Sequence, residues 1–431
     1  MGTSVWARSW GSSGLVRVAG GAGSLRAWEP AGRTSTPWNS SAWDRGDQSL
    51  LLLSDLDLAK ALNLVVSARG ECRPTVGGLL LLGRDEVLAR LIPTHEVAWQ
   101  VLDEGQRVRA NDFFRWPLLR LVDEIMDRFR ALNHETEAQV GMWRLPIPDY
   151  SEIGFREAVA NAVIHRDYSK VGAVHVQWYP DRIEVSNPGG LVEGVRLNNL
   201  LVTPPRPRNP ALADAFKRVG LVERTGRGID RIFEGQLRLG RPAPDYGRTT
   251  ESSVVVVLPG GPTSLAFARF VQECDRKGQP LCLDDLLILN ELQQSRQIDV
   301  SRAREVTQKD EREARKALER LQEVGLIEGR GERRGRVYHL AARVYEALGQ
   351  REAYVRAVGI EATRWAELIR GYVKRYGRIT RSQAAELCGA GQAQVGRLLR
   401  RLVESGELER KGAGRGTYYV VRNPRPAEAG S

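Results

Sequence analysis

Residues 153–168 read IGFREAVANAVIHRDY, and the reading of the central part of the chain turns on them. Phe155, Ala158, Val159, Ala162 and Val163 recur at three- and four-residue steps, the spacing of an α-helix. Glu157, Asn161 and His165 fall at i, i+4 and i+8, so a polar stripe runs along a helix that is otherwise apolar nearly all round. Such a helix is expected to be buried, and a buried polar stripe is costly unless something meets it. A carboxylate one turn from a carboxamide is suited to hold a hydrated divalent metal and to orient a water molecule. His165 is read as a hydrogen-bonded core or cap residue rather than a phosphoryl carrier.

Downstream, Ala173–Tyr179 and Asp181–Ser186 alternate as two strands joined at Pro180 and Asp181, a hairpin beside the helix. Asn187-Pro188-Gly189-Gly190 follows, a turn that an ordinary strand connection does not need. Residues 191–210 form a long polar connector with Pro204, Pro205, Pro207 and Pro210, the length of a lid or a disordered loop. Helices are expected at Ala211–Val219 and Ile229–Leu237, and a closing strand at Ser252–Leu258. Gly226-x-Gly228 stands just before the second of these helices, where backbone amides can approach a phosphate. Alone, that glycine pair is weak evidence and more often an ordinary loop-to-helix turn that needs no ligand.

Upstream, residues 1–48 hold five of the ten tryptophans, at Trp6, Trp10, Trp28, Trp38 and Trp43, without helical or strand spacing. They read as a disordered or misassigned extension. From Leu50 to Arg109 a small α/β unit is expected, with a helix at Leu56–Val65, a buried strand at Gly77–Gly83 and another strand at Leu91–Leu102. A long helix over Asn111–Leu132 would bury Leu118, Leu121, Val122, Ile125, Met126 and Phe129 as one stripe.

The last third contains a repeat. Residues 314–331, ARKALERLQEVGLIEGRG, align with 395–412, VGRLLRRLVESGELERKG, at an offset of 81. Each copy follows two helical patterns and precedes a Gly- and Arg-rich hairpin, ending in strands at Val337–Leu340 and Thr417–Val421. Three helices and a two-stranded wing make the winged helix-turn-helix plan. The third helices, about Asp310–Glu323 and Gln392–Glu404, would enter the major groove. The cations expected to contact DNA are Arg397, Arg400, Arg401, Lys411 and Arg415 in the second copy and Arg333, Arg334 and Arg336 in the first.

Charge sharpens this. The net charge is +11, and residues 349–431 alone carry 16 Lys and Arg against 8 Asp and Glu. Residues 284–348 balance at 13 against 13, which favours a spacer or dimerisation role for the first copy. The alternative is a solvated basic surface with no partner. There is no apolar run of about eighteen residues, so no membrane span is expected. Cys72, Cys274, Cys282 and Cys388 show no CxxC and no metal-ligand spacing, which suits a reduced, cytoplasmic protein. His165-Arg166-Asp167 is not a kinase catalytic loop, because Gly172 stands where the asparagine is required. The chain has no GxxxxGK[ST] phosphate loop, so a true helicase is excluded.

Taken together, REAVANAVIHRDYS at 156–169, IEVSNPGGL at 183–191, RNPALA at 208–213 and ERTGRGIDRI at 223–232 resemble the ATP-binding fold shared by gyrase, chaperone, histidine-kinase and mismatch-repair proteins (GHKL). They look most like the branch of RecG-like or Schlafen AlbA-type transcriptional regulators. The resemblance covers roughly residues 50–260. It implies a catalytic base at Glu157, Mg²⁺ held by Asn161, and ATP bound by Asn161, Asn187, Gly189, Gly190, Thr225, Gly226 and Gly228. The family usually has Asp where this chain has Asn187, and an amide can accept the same hydrogen bond. Only the rear of an AlbA-type domain is matched, by PTVGGLLLLG at 74–83.

The expected fold class is α+β: an extension at 1–48, a partial AlbA-like unit and helix at 49–135, a GHKL (Bergerat-like) α/β sandwich at 136–260, winged helices at 264–348 and 349–422, and a tail at 423–431. The expected function is that of an ATP-binding and DNA-binding transcriptional regulator, with ATP and Mg²⁺ as cofactors, double-stranded DNA as partner, weak ATPase activity and a homodimer as the assembly. The competing readings are an ATP-hydrolysing enzyme acting on nucleic acid and a degenerate nucleotide fold serving as an interaction scaffold.

Overall fold

The computed structural model describes residues 48–68, 71–140, 143–222, 227–260, 264–331, 336–350, 365–388, 390–414 and 417–422. The chain is α+β and divides into two compact units, residues 1–273 and 274–431. Among the described residues, no helix is long and apolar enough to cross a membrane.

The first unit opens with a 3₁₀ turn (Gln48–Leu52), α1 (Asp55–Ala61), a short antiparallel hairpin of β1 (Val65–Ala68) and β2 (Glu71–Pro74), α2 (Val76–Leu82) and α3 (Asp85–Leu91). Then come β3 (Val97–Leu102), β4 (Val108–Phe114), α4 (Leu118–Leu132), the hairpin β5 (Glu135–Val140) and β6 (Trp143–Pro148), and α5 (Glu152–His165). The unit is completed by β7 (Val174–Tyr179), β8 (Arg182–Pro188), α6 (Pro210–Arg218), α7 (Gly228–Arg238) and β9 (Ser253–Pro259). The main sheet has the order β4-β3-β7-β8-β9. Every pair in it is antiparallel except β3 with β7, where Val97 lies beside Val174 and Val101 beside Trp178.

Period-two alternation explains which face of the sheet is covered. Val174, Val176, Ile183 and Val185 are at most 1% exposed and point at the helices, while His175, Gln177 and Ser186 lie on the opposite face. Ser151 starts α5 by accepting from the Gly154 amide at 3.1 Å. From α5, Phe155, Val159 and Val163 are fully buried, each contributing roughly 1.5–3 kcal/mol. Phe129 of α4 stacks on Phe155 with ring centres 4.2 Å apart. On the opposite sheet face Glu184 is buried between Arg182 and Arg248, the latter at 2.5 Å.

Several expectations for the N-terminal region are corrected. Residues 77–82 are helical, in α2, rather than a strand. A continuous run of leucines does not distinguish a buried strand from a buried helix. What decides it is Thr75, whose hydroxyl accepts from the Gly78 amide at 3.0 Å and so caps a helix. The helix expected over 56–65 ends at Ala61, and Val65 already belongs to β1. Residues 91–96 precede β3 rather than belong to it. Asn111–Phe114 are the end of β4, and the long helix starts only at Leu118, after Pro117 has fixed an extended backbone. The β5–β6 hairpin had no clear signal, since Pro146 and Pro148 interrupt its pattern.

Helix α8 (Leu265–Arg276) spans the division between the units. The second unit contains α9 (Leu283–Ser295), α10 (Val300–Thr307), α11 (Glu311–Glu323), the hairpin β10 (Ile327–Arg330) and β11 (Val337–Leu340), and α12 (Ala342–Ala347). It continues with α13 (365–376), β12 (Ile379–Thr380), α14 (Arg381–Cys388), α15 (Gln392–Glu404), β13 (Leu408–Lys411) and β14 (Tyr418–Val421). The repeat is visible in the backbone. Gly325 after α11 and Gly406 after α15 take left-handed φ angles of 73° and 77°, the conformation in which glycine ends a helix. In the second copy Ile369, Ile379, Val395 and Leu399 are fully buried in one small core.

Candidate functional site

The polar stripe of α5 meets the beginning of α7. The two helices cross antiparallel and very close, because glycines line the contact. A Cβ built on Gly154 would lie 3.5 Å from the carbonyl oxygens of Arg231 and Ile232, and one on Gly235 would lie 2.6 Å from the Ser151 hydroxyl. At the other end, a Cβ on Gly228 would lie 2.9 Å from Glu157 Oε2, 3.5 Å from Asn161 Nδ2 and 3.6 Å from Asn161 Oδ1. Glu157 is 1% exposed. A buried carboxylate and a carboxamide therefore converge on the positive end of a helix dipole, the polarity that also attracts phosphate. This donor set suits a phosphate-bound divalent cation: a hard carbonyl oxygen from Asn161 and a carboxylate from Glu157, beside a helix start. Thr225 and Gly226 lie outside the described residues, as do Arg333, Arg334 and Arg415.

The turn at 187–190 closes around the protein's own atoms. Asn187 is 4% exposed and its Nδ2 donates to the Pro188 carbonyl at 3.2 Å. Gly189 has φ +98°, and a Cβ there would lie 2.8 Å from Asp167 Cβ; on Gly190 it would lie 2.5 Å from the Glu251 carbonyl oxygen. Both glycines are thus demanded by close packing of the chain on itself. The connector at 191–209 bonds to itself through Asn199, which accepts from the Arg196 amide at 2.7 Å and donates to the Gly194 carbonyl at 3.1 Å.

Three residues that the motif reading did not single out hold this region together. Asn209 Nδ2 donates to the carbonyls of Ile164 and Arg166, both at 2.8 Å, and satisfies the open end of α5. Arg208 donates to the His165 carbonyl at 3.0 Å and to the Gly190 carbonyl at 2.7 Å, tying the helix end to the turn. Arg166 is fully buried and donates to the carbonyls of Asp167 at 3.1 Å, Lys170 at 3.3 Å, Gly172 at 2.6 Å and Thr94. The signal for Arg208 and Asn209 was present in the RNPALA stretch. Arg166 carried no sequence signal beyond a charged residue ending an apolar helix.

Burial, followed by the nearby Arg208 guanidinium, lowers His165 to about 4. His95 and His175 are also lowered, in both cases chiefly by burial. All three are neutral when folded and take up protons more readily when unfolded. Their stabilisation is therefore complete above about pH 6.5 and is lost as pH falls below it, in the case of His165 toward about 4. Chemical denaturation followed from about pH 7 to about pH 4.5 is expected to show falling stability, and His165→Gln to remove up to about 2 kcal/mol of that fall. An equal fall in the variant would contradict the assignment.

In the second unit Arg397, Arg400 and Arg401 of α15 and Lys411 of β13 are all exposed. None of the three arginines forms an ion pair with the described residues, and Lys411 lies 3.6 Å from Glu409. The first copy differs. Arg315 pairs with Glu311 and Arg320 with Asp285, each at 2.6 Å, and Lys309 pairs with Asp284 at 2.6 Å. Arg336 is engaged within the copy, donating to Gln322 of α11 at 2.8 Å with its guanidinium 5.2 Å from the Tyr338 ring. Net positive charge is concentrated on the second copy.

A shallow hollow of about 650 Å³ lies away from α5, against Ala89, Phe113 and Trp116, with Glu96 and Arg115 on its rim paired at 3.0 Å.

Comparison with known proteins finds two family matches. Residues 172–258 match an ATPase-like family described as "Putative ATP-dependent DNA helicase recG C-terminal". This stretch includes Asn187, Gly189, Gly190 and Gly228 and begins after α5 has ended. Residues 287–430 match a family described as "DNA glycosylase AlkZ-like". Among solved structures, the DIP2311 protein from Corynebacterium diphtheriae is similar in fold, at 23% identity and a TM-score of 0.62, over 76% of this chain and 64% of that one. The chain thus spans under two thirds of the length of that relative. No curated protein matches.

Proposed function

We propose that residues 136–260 form a GHKL-type domain that binds ATP with Mg²⁺, and that residues 264–348 and 349–422 form a pair of winged helices of which the second copy binds double-stranded DNA. The reading as a regulator, in which nucleotide state alters DNA binding, unites the two. The observation that carries it is the convergence of Glu157, Asn161 and the Gly228 start of α7. Asn161 would hold Mg²⁺, which when bound neutralises phosphate charge, and Glu157 would orient a water molecule and take its proton. Asn187, whose Nδ2 is taken by the Pro188 carbonyl, would have its Oδ1 left to accept from the amino group of the base. On the DNA side, the exposed Arg397, Arg400, Arg401 and Lys411 supply phosphate and groove contacts.

Calorimetric titration of the full chain with ATP and Mg²⁺ tests the first half. Asn161→Ala is expected to weaken Mg²⁺-dependent binding about 30-fold, about 2 kcal/mol, and to leave metal-free binding little changed. Absence of ATP binding by the wild type at millimolar concentration overturns the reading and leaves an interaction scaffold. A gel-shift titration with and without ATP and Mg²⁺ tests the coupling; equal DNA affinity in both conditions removes it.

The match over 287–430 favours a second reading, an enzyme that acts chemically on nucleic acid. It requires turnover stimulated by DNA, with the ATP-dependent part abolished by Glu157→Ala.

A further inference from the structure

The stretch Arg370–Arg381, RGYVKRYGRITR, has five cations, two tyrosines and no acidic residue. It runs from the middle of α13 through β12 to the first residue of α14. Tyr376 is 62% exposed, the most exposed large aromatic side chain among the described residues. It is not a loose side chain. Its ring leans against Tyr372 with centres 4.7 Å apart, and the Arg375 guanidinium lies 5.9 Å from its centre. Immediately beyond, Arg378 places its guanidinium 5.5 Å from the ring of Tyr418. In the three-stranded sheet of this copy, Tyr418 stands between Thr380 and Lys411. Residues that pair directly across strands share a face, so Tyr418, Arg378 and Lys411 form one basic and aromatic patch on the side of the sheet away from the buried Ile379, Tyr419 and Leu408.

The backbone beside both α13 tyrosines is uncrowded. Built Cβ atoms on Gly371 and Gly377, which flank Tyr372 and Tyr376, meet nothing within 4 Å. Of these cations only Arg370 and Lys411 have a carboxylate partner among the described residues, Glu407 and Glu409 respectively. Lys374, Arg375 and Arg378 are exposed. A duplex offers phosphates to such a surface but keeps its base faces stacked inside. An exposed tyrosine supported on one side and flanked by guanidinium groups is suited to receive a base face, and every base has one.

We propose that this surface binds single-stranded nucleic acid, with an unpaired base stacked on Tyr376 and the neighbouring phosphates held by Arg375, Arg378 and Lys411. The proposal rests on the reading that the second unit contacts nucleic acid, and it adds a second mode of contact distinct from the duplex contacts of α15.

Fluorescence anisotropy of the full-length chain with a labelled oligothymidylate and with a duplex of equal length separates the two. Tyr376→Ala is expected to weaken oligothymidylate binding about tenfold or more and to leave duplex binding within about twofold. Tyr376→Phe should keep the wild-type affinity because it keeps the ring. Arg397→Ala should show the opposite preference. An unchanged thermal melting curve for each variant confirms that Tyr376 is not needed for folding. Equal losses for both ligands in Tyr376→Ala, wild-type affinity for oligothymidylate in that variant, or duplex binding without single-strand binding by the wild type each overturn the proposal. Failure to bind either ligand overturns instead the nucleic-acid reading of the whole unit.

Discussion

Replacing Arg166 with methionine is expected to destabilise the first unit by about 4 kcal/mol or more, a loss that urea denaturation would read directly. The side chain is fully buried and its guanidinium serves the carbonyls of Thr94, Asp167, Lys170 and Gly172. Methionine fills similar space but leaves these acceptors without that donor, and a buried polar group deprived of its partner costs about 1–3 kcal/mol. Lysine keeps the charge yet presents a single point where a planar fork is needed, so Arg166→Lys should fall between wild type and methionine. Equal stability of the two variants would show that packing alone matters there. The loop held by Arg166 also backs the site: the Asp167 amide donates to the Pro188 carbonyl at 2.9 Å, and Asp167 sits against Gly189. Nucleotide affinity should therefore fall with the stability of this loop.

The second large effect is expected at Gly78. A Cβ there would lie 2.1 Å from the Leu64 carbonyl oxygen and 2.9 Å from its carbon. Those are backbone atoms, and the same oxygen already accepts from the Thr75 amide at 2.8 Å and the Thr75 hydroxyl at 3.1 Å. Gly78→Val is expected to cost about 3 kcal/mol or more, at the upper end of what overpacking produces. Its neighbour gives the control. A Cβ on Gly77 has its nearest contact at 3.7 Å, so Gly77→Ala should be neutral or slightly stabilising. Thermal melts of the two variants distinguish them, and a tolerant Gly78 would contradict the packing of α2 on Leu64.

This glycine pair also shows where sequence reading stops. α5, α7, β7, β8, α11 and α15 were legible because each has a periodic apolar face and a defined start or end. α2 was not, because four consecutive leucines have no period, and Pro74, read as a turn before a strand, masks the Thr75 cap that starts the helix. The same limit applies to the site. Glu157 and Asn161 were legible as an unexplained polar stripe, and their meeting with Gly228 follows from two helices crossing. Gly189 and Gly190 were legible as glycines, but what fills the space beside them is the protein's own backbone and Asp167. Arg208 and Asn209 were legible only as part of the RNPALA stretch; the carbonyls they serve were not. Tyr376 and its cations were hidden within an overall excess of positive charge, which counts arginines without showing that tyrosines stand among them.

The single parallel seam of the main sheet has a bearing on how this chain can be divided and how it folds. β3 joins β7 across more than seventy intervening residues, whereas β4 with β3, and β7 with β8, are local hairpins. The two hairpins can form early and separately, but the seam must wait for a long loop to close, which slows folding and leaves two strand edges open in the interval. A fragment cut at residue 172, where the family match begins, would keep β7 and lose both β3 and α5. It would carry a permanently bare edge on a strand whose Val174 and Val176 belong in the core, so aggregation rather than an isolated ATPase-like domain is the expected product. The smallest independently folding piece that carries this sheet has to begin before β3.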